Sequence, residues 1–158
     1  MVAGACFKAL GRLAVALSVC AAAQAQQNPA ARLARDLTPL TGHWNGAHLE
    51  QRSSCASAPN NGFHGTYAEY IARIDPGSTL IVDEIAITGL TCSFVGTFHE
   101  EDGHTLWSGN HSCSDGRAGP FESSSIFAAN TLMSMHLSIH LTGKESCSID
   151  AILSGARF

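Results

Sequence analysis

The 158-residue chain has no His-Glu-x-x-His run, no Cys-x-x-Cys pair and no Gly-x-Ser-x-Gly elbow. Zinc-hydrolase, thioredoxin-like and α/β-hydrolase chemistries therefore have no foothold in it. Charge is scarce, with 14% of residues charged and a net charge of −4. A nucleic-acid or anionic-membrane partner needs a surplus of Lys and Arg, so neither is expected. From Thr41 onward there is almost no helical periodicity, and no apolar run long enough to span a bilayer as a helix. No cofactor is expected either.

What is present begins with an export signal. Lys8 and Arg12 precede the apolar stretch Leu13–Ala22, and Ala23-Gln24-Ala25 is a small-x-small cleavage site. Residues 1–25 read as a signal peptide, which makes the protein periplasmic or secreted. Its removal takes Lys8, Arg12, Cys6 and Cys20, and moves the net charge to about −6. Four cysteines remain, Cys55, Cys92, Cys113 and Cys147, an even number suited to disulfides in an oxidising compartment. Residues 26–40 form an arm, in which Ala30–Leu37 is a possible short helix ended by Pro39.

The sharpest local signal is Asp102-Gly103, which Cys92 and Cys113 flank at equal distances. Asp-Gly between alternating apolar and polar runs predicts a two-residue type I′ hairpin turn with Glu101 opposite His104. Cys92 then faces Cys113 in a non-hydrogen-bonded pair, with Cα atoms roughly 4.5 Å apart, within reach of a disulfide. Turn signals elsewhere divide residues 41–158 into about eight strands. They are His43–Gln51, His64–Ile74, Thr79–Ile87, Thr91–Glu100, Thr105–Cys113, Phe121–Phe127, Thr131–Leu141 and Ser146–Gly155. Short connections between all neighbours predict a single up-and-down antiparallel β-barrel. With Cys92 and Cys113 joined, Cys55 is left for Cys147. That link sits where the first and last strands would pair, and closing the barrel there leaves no exposed edge. The same pairing brings Trp44 near Arg157.

Gly42-His43-Trp44, opening the first strand, resembles the Gly-x-Trp signature of calycin barrels, the lipocalin and avidin group. Thr41-Gly42-His43-Trp44 is similar to the first strand of avidins. The resemblance covers these four residues and Arg157. It implies that Trp44 plugs one end of the barrel, that Arg157 packs over it, and that the mouth lies at the other end. The loops Arg52–Gly62 and Ser114–Pro120 would meet at that mouth, tied down by both disulfides.

Alternation turns Cys92, Phe94, Gly96, Phe98, Trp107, Gly109, His111 and Cys113 inward, with Met133, Met135, Leu137, Ile139 and Leu141 on strand seven and Cys147, Ile149, Ala151 and Leu153 on strand eight. An eight-stranded barrel is just wide enough to be filled by side chains or to hold one small ligand. Gly96 opposite Gly109, with Ala151 elsewhere on the wall, would leave a space lined by Phe94, Phe98, Trp107, Met135 and Leu137, with His111 as its polar handle. The bland alternative is that the same residues are a packed core and the glycines mark bends. The functional expectation is an exported barrel that binds a small, mostly apolar ligand. The alternative is an exported interaction module, such as an inhibitor of a basic hydrolase. An enzyme using His48 or His111 ranks third. His48 and Glu50 alternate inward with Trp44, and a hydrogen-bonded structural pair is the simpler account of them. No metal site is expected: His136 and His140 share a strand face but stand about 13 Å apart at roughly 3.3 Å per residue.

Overall fold

The computed structural model describes residues 38–75, 79–102, 104–143 and 145–158. The expected signal peptide, residues 1–25, and the expected helix at Ala30–Leu37 fall outside the described residues.

Eight strands follow one another around a closed antiparallel barrel: β1 Gly42–Ser53, β2 Gly62–Ile74, β3 Thr79–Ala86, β4 Thr91–Glu101, β5 His104–Cys113, β6 Ala118–Ala128, β7 Leu132–Leu141 and β8 Cys147–Arg157. β8 pairs back onto β1, so no edge is left exposed. The described residues contain no helix long and apolar enough to cross a membrane.

The hairpin register follows from its turn. Glu101 pairs with His104 and Cys92 with Cys113. Asp102 supplies the positive φ, 49°, that the first position of a type I′ turn requires. The Cys92–Cys113 disulfide closes with Cα atoms 4.0 Å apart. Cys55–Cys147 ties the end of β1 to the start of β8, and the adjacent backbone is bonded from the Ala56 N–H to the Ser146 carbonyl at 2.9 Å.

Three strands, β1, β2 and β6, exceed their predicted lengths by two residues or more. β1 runs two residues further, to Ser53, and β2 starts at Gly62, because the first connection needs only a 3₁₀ turn at Ala58–Asn60. β6 begins at Ala118 rather than Phe121. Gly116, with φ +88°, compresses the preceding turn, and Gly119 lets β6 approach β7 so closely that a Cβ there would lie 1.8 Å from the His140 carbonyl oxygen.

The inward faces form one apolar core containing Trp44, Tyr70, Phe94, Trp107, Phe121, Met135, Leu137 and Leu153. Phe94, Trp107 and Phe121 pack mutually at centroid separations of 4.4–6.4 Å. One end is closed by Trp44. Its indole N–H donates to the Leu40 carbonyl at 2.8 Å, and the Arg157 guanidinium lies 4.5 Å over its ring. Arg157 also donates to the Pro39 and Thr41 carbonyls at 2.6 and 2.8 Å, pinning the Thr38–Leu40 turn across the end. This is the arrangement that the Gly-x-Trp resemblance implies for that end.

Candidate functional site: a polar cavity at the barrel mouth

Strand alternation creates the site. On β1 the inward series Trp44, His48, Glu50 becomes more polar towards the open end, and half-buried Arg52 continues it. On β3 the series Leu80, Val82, Glu84, Ala86 carries one carboxylate inward among apolar residues. β5 contributes His111 and Cys113, and β4 contributes Cys92 directly opposite Cys113. Together with His64, Leu90, Arg117, Ile139 and Ile149 these side chains line a cavity of about 200 Å³. Arg52, near the end of β1, and Arg117, from the β5–β6 connection, line the cavity together with Cys92 and Cys113.

Inside it, the Nδ1–H of His48 faces both oxygens of the Glu84 carboxylate, at 2.9 and 3.0 Å. Glu84 is 3% exposed, so this is a desolvated pair rather than a surface one. The other ring nitrogen, Nε2, makes no hydrogen bond within the protein and stands 3.6 Å from Glu50 Oε2. Glu50 accepts from Arg52, whose Nε lies 2.7 Å from Oε1. Burial pulls the His48 pKa down, but the Glu84 hydrogen bond and the Glu84 and Glu50 charges outweigh it, and the net shift is upward.

His111 lies in the opposite regime. Burial first, then the positive charges of His48 and Arg117, push its pKa down to about 4. Its Nε2 sits 3.1 Å from Cys113 Sγ and its Nδ1 has no partner, while Phe94 tilts against the ring at 4.5 Å. The cavity therefore holds one imidazole biased towards the cation and one kept neutral. Each has a buried nitrogen left without a hydrogen bond, an arrangement proteins seldom tolerate away from a ligand or water site. The buried Tyr70 hydroxyl is also unpartnered within the protein, and burial followed by the Glu84 charge raises its pKa.

Of the six candidate ligand residues, only His111 lines this cavity. Phe94, Trp107, Met135 and Leu137 are fully buried and Phe98 nearly so, packed into the core. Of the two readings of the paired glycines, an open space or close packing, the geometry agrees with the second. A Cβ on Gly109 would lie 2.0 Å from the Val95 carbonyl oxygen, and one on Gly96 would lie 2.4 Å from the Ser108 carbonyl oxygen. Those glycines allow close backbone approach instead of opening a void. His48 and Glu50 do turn inward together. Glu84 escaped the sequence reading, although the alternation of β3 assigns it to the inner face.

No family model and no curated protein matches the sequence. Among solved structures, a protein of unknown function from the DUF3598 family of Nostoc punctiforme is similar, with a TM-score of 0.40 and 8% identity over 77% of this chain. The match spans 49% of that protein, about half its length.

Proposed function

We propose that the protein is an exported, calycin-like barrel that binds a small, mostly apolar molecule with a polar group, seated in the mouth cavity. The observation that carries this reading is the pair of buried nitrogens, His48 Nε2 and His111 Nδ1, left without hydrogen bonds in a cavity whose lining combines apolar Leu90, Ile139 and Ile149 with Glu50, Arg52, Glu84 and Arg117. The charged groups around them are already matched: Glu84 by His48, Glu50 by Arg52, and Asp115 by Arg117 with Nε 2.8 Å from Oδ2. A neutral ligand with one or two hydrogen-bonding atoms suits such a site better than a strongly charged one, which would displace an existing ion pair. Two disulfides in an oxidisable chain are compatible with export.

Native mass spectrometry of the purified protein is the test, followed by titration with the neutral, apolar fluorophore N-phenyl-1-naphthylamine. A bound species that is lost in His48→Gln and His111→Gln would support the reading. Neither an adduct nor saturable, cavity-dependent fluorescence would sink it.

A second reading, a protein-interaction module, is favoured by the outer wall of β1–β3. Phe63 is 69% exposed, Tyr67 74% and Ile87 79%, with Leu49 and Ile85 beside them. A run of apolar groups on a β-wall is a common contact surface. Pull-down from an extract of the exported fraction, with Tyr67→Ser as control, discriminates the two readings.

A further inference from the structure

We propose that Cys92, Cys113 and His111 form a redox-gated zinc site at the barrel mouth, silent while the cysteines are joined and available once they are reduced. One donor atom from each of the three lies within 4.8 Å of the other two. Zinc bound by thiolate and imidazole holds its donors roughly 3.5–3.8 Å apart, given metal–ligand lengths of about 2.3 and 2.1 Å. Once the sulfur–sulfur bond is opened, side-chain rotation is enough to reach that spacing, with the strands staying in register. No other group of His, Cys, Asp or Glu among the described residues meets the same criterion, so the Cys55–Cys147 pair offers no equivalent.

Two further features point to a ligand rather than to a staple alone. His111 is 4% exposed yet has an unpartnered ring nitrogen, and its other nitrogen already faces Cys113 Sγ at 3.1 Å. All three residues line the cavity, so a tetrahedral ion would keep its fourth position towards the mouth. An open position of that kind is the mark of a reactive site rather than a purely structural one.

The chemistry balances with a dithiol as reductant. The dithiol gives two electrons and two protons to the bridge and leaves as its own disulfide. Cys92 and Cys113 become thiols. Zn²⁺ then binds both sulfurs and His111, releasing the two thiol protons to water, and its oxidation state does not change. Exchange with an external disulfide, which accepts the two electrons and leaves as a dithiol, rejoins Cys92 to Cys113 and expels the ion. This inference goes beyond the ligand-binding reading while sharing His111 and the cavity with it, and the two can fail separately because cobalt absorption reports the metal site alone.

The test uses the full exported chain, reduced with a phosphine and titrated with Co²⁺, then with Zn²⁺. One equivalent of Co²⁺ is expected to produce thiolate charge-transfer and tetrahedral d–d absorption. Zn²⁺ should bleach both, and the unreduced protein should show neither. His111→Ala retains both cysteines and the staple, and is expected to weaken cobalt binding at least ~10-fold. Circular dichroism on the same samples reports whether the reduced chain remains a β-barrel. The proposal is overturned if reduced wild-type protein, folded or not, binds no Co²⁺. It is equally overturned if the absorption survives Cys92→Ser/Cys113→Ser, or if His111→Ala leaves the affinity unchanged.

Discussion

The two ends of this barrel solve the same problem in opposite ways. At the closed end, Trp44 is buried with its one polar atom bonded to the Leu40 carbonyl, and Arg157 lies across the ring while bonding two carbonyls of the adjoining turn. At the mouth, His48 and His111 are nearly as deeply buried, yet each keeps a ring nitrogen unpartnered, and covalent links supply the cohesion. Packing stabilises the first end. The second carries polar groups that a core would not tolerate, and the disulfides compensate for it.

The comparison breaks first at the staples. Removing Cys55–Cys147, which spans 92 residues, is expected to cost roughly 4.5 kcal/mol, against roughly 3 kcal/mol for the 21-residue span of Cys92–Cys113. Urea unfolding of Cys55→Ala/Cys147→Ala and of Cys92→Ala/Cys113→Ala measures both, and equal losses would contradict the loop-length account. At the other end, Trp44→Ala removes a fully buried indole together with its hydrogen bond, for an expected loss of about 4 kcal/mol. A loss below about 1 kcal/mol would show that the plug is ornamental.

Acidity separates the ends more finely. His111 has its folded pKa lowered to about 4, below the unfolded value. As pH falls through 6.5 the unfolded chain takes up this proton first, so stability is lost down to about pH 4, by about 3 kcal/mol at most. His48 behaves oppositely. Its folded pKa is raised, so its contribution is complete below the ordinary histidine value and is lost as pH rises through the folded pKa. Unfolding free energy followed from pH 4 to pH 9 should therefore have its maximum near the ordinary histidine pKa. His111→Gln should flatten the acid limb and His48→Gln the alkaline one, while Trp44→Ala should shift the whole curve without changing its shape. The smallest effect is expected from Arg157→Met, about 1 kcal/mol, since that guanidinium is exposed and its cation–π contact weak.

Much of the barrel was legible before any coordinates, and the reasons are local. Asp102-Gly103 selects a turn by its backbone preferences, and the turn alone puts Cys92 opposite Cys113. Period-two alternation assigned the inner faces of β4, β5, β7 and β8, since a strand cannot bury one face without exposing the other. The site was legible only in part. His111, His48 and Glu50 could be assigned to the interior one strand at a time. The His48–Glu84 pair joins residues 36 apart, and its geometry depends on the tilt and stagger of three strands.

By itself, then, the sequence determined the strand count, the register at Asp102-Gly103 and with it Cys92–Cys113, because turn chemistry and alternation act over a few residues, and Cys55–Cys147 followed by elimination. Only the tertiary structure decided where the interior is empty. Gly96 and Gly109 allowed either a gap or a bend in a packed wall, and they mark a close approach of backbones. The space lies instead at the mouth, among His48, Glu84 and His111, because an open volume is what remains after distant strands have packed, and no short stretch of chain specifies it.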